Sequence, residues 1–239
     1  MQWSTSTIEP RDMSGNSSNI EANLASAKKR LEQALEVAGR PPKACRIVAV
    51  TKRQANEKID AALIAGARCF GENRVQEAKE RWPERQERFS DIELHLIGRL
   101  QTNKVKEAIA LFDVIETLDR PKLARALARE MERSGRRRRL FIQVNTGAEP
   151  QKGGVLPDEL GGLVMLCRGE LGLEIEGLMC LPPFGQDPAP HFAELRHLAA
   201  KYEISRLSMG MSDDFEIAAR AGAHYVRIGT AIFGPRSET

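Results

Sequence analysis

The sequence of 239 residues lacks any long apolar run, and aromatic residues make up only 5% of it. A membrane-spanning helix needs about 18 or more consecutive apolar residues, and no segment of this chain comes near that length. The N-terminal region also lacks the apolar stretch of a secretory signal. We therefore expect a cytoplasmic protein that does not contact a membrane.

The chain has only four cysteines, and they are scattered without CxxC spacing. This spacing indicates neither a metal site nor a disulfide framework, so we expect reduced and mostly buried thiols. The formal charge of +3 is also small, whereas nucleic-acid-binding proteins usually carry a strongly basic face. One basic run, residues 136–139, favours a solvated turn, with an RNA or DNA contact as the alternative. No nucleic-acid partner is expected.

The N-terminal region divides into a tail and a helix. Residues 1–18 are rich in serine, threonine and asparagine and have no apolar period, which predicts a disordered tail. Residues 20–37 carry apolar side chains at helical spacing, and Gly39 and Pro41 follow directly. No linker interrupts the pattern beyond this helix, so we expect residues 19–239 to form one domain.

Eight short apolar runs follow, separated by helical patterns. Strict strand–helix alternation predicts parallel pairing through crossover helices, and eight repeats close a (β/α)8 TIM barrel. An open doubly wound sheet is the alternative, but the GxGxxG turn typical of that fold is missing after Val50. The predicted strands are residues 46–50, 67–70, 94–97, 114–117, 140–145, 173–179, 204–208 and 224–228.

Lys52 directly follows the first predicted strand, at the end of the barrel where active sites of this fold lie. A lysine in such a position can attack a carbonyl group and form an imine. Most lysines are solvated surface residues, so Lys52 alone is a weak signal.

The residues after the last two predicted strands point to phosphate binding, a frequent use of these loops in TIM barrels. Ser208 ends the seventh run, and Gly229 and Thr230 follow the eighth. Glycines let backbone N–H groups approach phosphate oxygens, and hydroxyls complete the shell. We interpret Ser212 as the N-cap of the next helix, whose acidic first turn places the anion nearer the other three residues. Tight turns with capping hydroxyls are the alternative; together with Lys52 the loops predict a phosphorylated aldehyde.

Seven motifs occur in a specific order along nearly the whole chain. With them the sequence resembles the pyridoxal phosphate homeostasis protein family, which is similar to the barrel domain of alanine racemase. The motifs are AVTK (49–52), FGENRVQE (70–77), HLIGRLQTNK (95–104), QVNTGAEPQKGG (143–154), GLMCLPP (177–183), SMGMSDDFEIA (208–218) and VRIGTAIFG (226–234).

The resemblance implies that Lys52 holds pyridoxal 5'-phosphate (PLP) as an imine and that Arg227 faces the pyridine nitrogen. A guanidinium there keeps the nitrogen unprotonated and weakens the cofactor as an electron sink. One departure is Arg99, which stands where the family motif has histidine, and we assign it no catalytic part. The further residues that the resemblance implies at the cofactor are Asn73, Asn145, Ser208, Met209, Gly229 and Thr230.

The function implied is PLP binding for intracellular PLP homeostasis and delivery, with little or no turnover. The protein would be a monomer, and PLP-dependent apoenzymes would be the recipients. A PLP-dependent amino-acid racemase of low activity is the alternative, and an aldolase-like barrel is a weaker one. Alanine racemases pair the lysine with a tyrosine from a second domain, whereas Tyr202 and Tyr225 here fall in a helical pattern and in the last strand.

Overall fold

The structure, a computed structural model, describes residues 14–234. Most of the tail predicted for residues 1–18 lies outside the described residues. The first helix, α1 (Ser14–Val37), begins before the predicted residue 20 and includes the last five residues of that predicted tail.

Eight parallel strands form a closed barrel in chain order, which confirms the predicted (β/α)8 architecture. The barrel forms because each apolar run pairs with the next one, and β8 pairs back onto β1. The strands are β1 (Arg46–Val50), β2 (Cys69–Glu72), β3 (Glu93–Leu96), β4 (Val114–Leu118), β5 (Arg139–Val144), β6 (Ile175–Cys180), β7 (Arg206–Met211) and β8 (Tyr225–Ile228).

Helices surround the barrel, and a short 3₁₀ turn precedes α5 while a π-helical segment continues α7. After α1 come α2 (Asn56–Ile64), α3 (Val75–Arg81), α4 (Pro83–Arg88), α5 (Val105–Leu111), α6 (Pro121–Ser134), α7 (Leu160–Met165), α8 (Ala189–Lys201), α9 (Phe215–Ala221) and α10 (Thr230–Phe233).

The additional N-terminal helix α1 packs against α2, α9 and α10, as its apolar face predicts. Asn23 Nδ2 donates a hydrogen bond to the Ile232 carbonyl at 3.0 Å. Arg30 pairs with Glu216 at 2.6 Å. Helix α1 therefore packs against the segment in which β8 passes into α10.

Alternate residues of each strand face either the barrel interior or the helices. A small interior cluster includes Val48, Phe141, Met179 and Tyr225, while a much larger apolar cluster fills the space between strands and helices. β2 extends two residues past its predicted end, because Gly71 is a barrel residue and not part of a turn. A Cβ there would lie 3.0 Å from side-chain atoms of Ile97 and Val48, so glycine lets these two side chains pack closely in the interior.

Several expectations from composition can be checked directly. All four cysteines are buried and none forms a disulfide. Among the basic run, Arg136 and Arg138 donate to helix carbonyls, and Arg139 begins β5 and pairs with Glu93 at 2.7 Å. Within residues 14–234, no helix has the length and apolar character needed to cross a membrane.

His224 provides a prediction for stability. Its Nδ1 accepts the Leu207 N–H at 3.1 Å, and burial, with help from Arg206 and Arg40, lowers the pKa of His224 to about 4. The unfolded chain has a histidine pKa of about 6.5 and binds the proton first, so this contribution is present above pH 6.5 and is lost as pH falls toward 4. After a discount for partial exposure we expect roughly 1–2 kcal/mol.

Urea unfolding of His224→Gln at pH 7 and pH 4.5 measures this contribution. The variant should lose less unfolding free energy on acidification than the wild type, since glutamine accepts the same hydrogen bond without titrating. His197→Gln, at an exposed position of α8, is the matched control. Equal pH dependence of His224→Gln and wild type would contradict the assignment.

Candidate functional site

Lys52 lies in a tight turn at the C-terminal end of β1. The Thr51 N–H continues the ladder onto the Gly71 carbonyl at 3.0 Å, and the Gln54 N–H closes the turn on the Thr51 carbonyl at 3.0 Å. Arg53 has a φ of 58°, a left-handed conformation that is uncommon outside glycine. The Lys52 side chain is half-buried. The strand and its turn thus place an amine at the mouth of the barrel.

Glu72, to which the sequence analysis gave no role, anchors this turn. Its fully buried carboxylate accepts hydrogen bonds from Thr51 Oγ1 at 2.8 Å and from Trp82 Nε1 at 3.1 Å. Burial raises the pKa of Glu72, and these bonds, with Arg81 at 3.8 Å, oppose the rise. A glutamate that ends a run of buried strand residues is the signal that identifies such an anchor.

A candidate anion-binding position lies where β8 passes into α10. The backbone N–H groups of Gly229 and Ala231 both point at Ser212 Oγ, at 3.3 and 3.4 Å. Because two backbone donors converge there, an oxygen of a phosphate group can be bound at this position. Thr230 is exposed beside them and begins α10. The predicted pair of Gly229 and Thr230 is therefore together at the mouth.

Ser212 is not the N-cap of the following helix, contrary to the sequence-based interpretation. Asp214 occupies the N-cap position of α9, and its Oδ1 accepts the Met211 N–H at 2.5 Å. The bend after β7 instead brings the Ser212 hydroxyl across to the loop after β8. A local pattern of a serine followed by acidic residues cannot reveal this contact, because the contact crosses to a neighbouring strand.

Ser208 and Met209 lie inside β7, and strand alternation sends their side chains to opposite sides. The Ser208 hydroxyl is buried in the barrel interior, 2.6 Å from Glu116 Oε2 and 2.6 Å from Arg227 Nη1. Met209 packs in the apolar cluster between strands and helices. Both side chains contact groups away from the loop at Gly229, so the assignment of Ser208 and Met209 to the cofactor stays a prediction.

Arg227 is 4% exposed and extends from β8 into the barrel interior. Its Nη1 donates to Ser208 Oγ, and its Nη2 donates to the Cys180 carbonyl at 2.7 Å. Glu116 Oε2 lies 3.8 Å from Nη1. The guanidinium is thus fixed by groups from three other strands, β4, β6 and β7.

The two predicted asparagines differ in their surroundings. Asn145 is buried, and its amide exchanges hydrogen bonds with the Glu149 backbone at 2.9 and 3.2 Å, so it secures its own loop. Asn73 is half-buried and lines a cavity of about 680 Å³ with Arg74 and Arg99. The Arg99 side chain is 73% exposed.

The fold is a TIM barrel with a lysine after its first strand and convergent backbone N–H donors after its last, the type described as alanine racemase, N-terminal domain. The family model with that description matches residues 16–237. The chain belongs to the family of pyridoxal phosphate homeostasis proteins.

Relatives with that name include proteins of Aquifex aeolicus and Vibrio cholerae. The first is 36% identical over 91% of this chain and 99% of its own length, and the second is 38% identical over 91% and 97%.

Solved structures give the same result. PipY of Synechococcus elongatus, described with PLP bound, is 33% identical, covers 90% of this chain and 100% of its own, and superposes with a TM-score of 0.75. Alanine racemase of Corynebacterium glutamicum has a TM-score of 0.69 at 18% identity, with 92% of this chain and 62% of the racemase covered, and it shows the fold alone.

Proposed function

We propose that this chain binds PLP, held as an imine on Lys52, and serves intracellular PLP homeostasis and delivery with little or no turnover. The placement of an amine beside an anion-binding loop carries the proposal. Ala49 pairs with Ile228, so Lys52 and Gly229 leave the barrel from adjacent strands. A Cβ on Gly229 would lie 3.5 Å from Val50 Cβ, so Gly229 is next to the end of β1, two residues before Lys52.

The residues present fit this cofactor. PLP carries an aldehyde, a phosphate and a ring nitrogen, and each needs a different partner. Lys52 supplies the amine, and Ser212 with the N–H groups of Gly229 and Ala231 supplies the phosphate position. Arg227 supplies a permanent positive charge for the ring nitrogen.

When bound, PLP supplies an electrophilic carbon conjugated to an electron-accepting ring. Arg227 opposes protonation of the ring nitrogen, because a like charge beside a group disfavours its charged form. The electron-accepting capacity of the ring is thereby limited. This property suits a protein that stores the cofactor and disfavours most amino-acid chemistry apart from racemisation.

A slow amino-acid racemase is the second candidate, favoured by the fold shared with alanine racemase. Neither of the two tyrosines of the chain lies in the loops at the mouth. Tyr225 is inside the barrel with its hydroxyl 3.1 Å from Arg139 Nη1, and Tyr202 follows α8 as its C-cap residue. A second base opposite Lys52 is therefore not evident among the described residues.

The absorption spectrum of the purified protein, with and without added PLP, tests the proposal. We expect a near-visible band that borohydride reduction fixes to the peptide containing Lys52. A protein that remains without this band at saturating PLP would overturn the proposal. Isomerisation of an L-amino acid that Lys52→Ala abolishes would establish the racemase instead.

Delivery and oligomeric state belong to the same proposal. We expect a monomer in light scattering, and we expect loaded protein to activate a PLP-dependent apoenzyme. Buffer that contains the free PLP concentration in equilibrium with the loaded protein is the control, since it isolates direct transfer. Activation no faster than in this buffer would argue for storage without delivery.

Ser212→Ala should lower the affinity for PLP about tenfold, because one hydrogen bond to a charged group contributes about 1.5 kcal/mol or more. Ser205→Ala, at an exposed serine before β7, is the matched control. Spectroscopic titration gives both dissociation constants. If Ser208→Ala weakens binding of PLP more than Ser212→Ala does and leaves binding of pyridoxal, which lacks the phosphate, unchanged, the sequence-based assignment of the phosphate to Ser208 is restored.

A further inference from the structure

A hydrogen-bonded network of polar side chains crosses the barrel interior and ends at Arg227. It runs from Glu93 through His95, Glu116 and Ser208 to the guanidinium, and its members come from β3, β4, β7 and β8. His95, Glu116 and Ser208 are fully buried. These three lie outside the Lys52 turn and outside the loop at Gly229 described above.

The hydrogen bonds of this network have a defined direction at the end formed by Arg227. Arg227 can only donate, so the Ser208 oxygen accepts from Nη1 at 2.6 Å and its single proton goes to Glu116 Oε2 at 2.6 Å. The other carboxylate oxygen, Oε1, lies 2.5 Å from His95 Nδ1. Both oxygens of Glu116 are thus engaged, and one of them faces Arg227 through the serine.

Acidic and basic groups alternate along this network. Burial alone would raise the pKa of Glu116, but His95 and Arg227 more than offset it and hold the pKa of Glu116 below its usual value. The Cys69, Glu116 and Glu93 partners hold the pKa of His95 well above its usual value against the effect of burial. Glu116 therefore lies between His95 and Arg227, both of which favour its anionic form.

Stability alone does not explain why the barrel interior contains such a buried ionic network. Removing two opposite charges from water costs about as much as their attraction returns, so apolar side chains of similar size would stabilise the interior as well or better. The network does fix the geometry of the Arg227 side chain. Arg227 is held by Ser208 on one Nη atom and by the Cys180 carbonyl on the other, which leaves its planar fork one orientation.

We infer that Glu116 and Ser208 are positioning residues that fix the Arg227 guanidinium in the orientation in which it faces the ring nitrogen of PLP. His95 acts one step further away by neutralising Glu116. The orienting contacts are present in the protein itself, while the consequence for the ring nitrogen rests on the proposed function.

The first test needs no cofactor. Nitrogen-15 NMR of arginine-labelled protein should show separate, slowly exchanging Nη signals for Arg227, assigned by their loss in Arg227→Lys. Ser208→Ala and Glu116→Gln should merge these signals, whereas Ser208→Thr, which keeps the hydroxyl, should preserve them. Ile115→Val is the matched control, because Ile115 is buried in the same strand but on the side that faces the helices. Unchanged Nη signals in Ser208→Ala would overturn the inference, even if Glu116→Gln fails to fold.

The second test uses PLP. In Ser208→Ala and Glu116→Gln, the pH midpoint of the near-visible absorption band should move by about one unit, as expected when a charge beside the ring is displaced. Ser208→Thr and Ile115→Val should match the wild type. Equal midpoints in all four variants would overturn the link to the ring nitrogen. If the wild type binds no PLP while its Nη signals behave as stated, the positioning of Arg227 stands and the proposed function fails.

Discussion

Lys52→Ala is expected to give a protein without the near-visible absorption band, with an affinity for PLP at least about 100-fold lower, a loss near 2.7 kcal/mol. The reason is that the amine provides the only covalent link proposed, while the phosphate position and Arg227 remain in place. Lys52 is half-buried at the end of a strand, so its truncation should leave the unliganded fold nearly unchanged.

Thermal unfolding with and without PLP separates these effects. Wild-type protein should gain stability with rising PLP concentration, since a ligand that binds only the folded state stabilises it by mass action. Lys52→Ala should lose most of this gain and keep the unliganded Tm. Lys29→Ala, at an exposed position of α1, is the matched control. A Lys52→Ala protein that retains the band would move the imine to another lysine.

Gly98→Ala is expected to produce the largest loss of stability for a single methyl group. A Cβ at Gly98 would lie 2.1 Å from the Asn73 carbonyl oxygen and 2.7 Å from Asn73 Cα. These are backbone atoms, which cannot rotate away as a side chain can. We expect a cost of about 3 kcal/mol, equivalent to a Tm lower by roughly 6–12 °C in a chain of this size.

The substitution also tests the site, because Asn73 follows β2 directly and must move to admit the methyl group. Gly162→Ala in α7 is the matched control: nothing lies within 4 Å of its Cβ. There the helix should gain about 0.5–1 kcal/mol. A Tm change below about 2 °C in Gly98→Ala would show that the loop after β2 relaxes freely.

The order of elements could be predicted because each strand is a short apolar run and the runs are separated by helical patterns. The strand ends were harder to predict, because they depend on packing inside the barrel. Gly71 resembles a turn residue in sequence, yet it belongs to β2 because Val48 and Ile97 occupy the space where its side chain would be.

The site could be predicted only where its residues follow a strand directly, as Lys52 and Gly229 do. Ser212 and Glu116 depend on contacts between distant strands, of which the local sequence carries no trace. Ser208, whose part in cofactor binding stays a prediction, shows the opposite case. Its position one residue from Met209 and two from Gly210 resembles a phosphate loop, but strand alternation turns its hydroxyl into the barrel.

Because β1 pairs with β8, the candidate site combines residues from the first and the last strand of the barrel. Lys52 is among the first barrel residues to leave a ribosome, and Gly229 and Ala231 are among the last, yet Ala49 and Ile228 are partners in the same ladder. A growing chain therefore carries the amine long before it can hold the phosphate. In the proposed function, cofactor capture is therefore coupled to ring closure, because an incomplete barrel has the lysine without the loop that holds the phosphate.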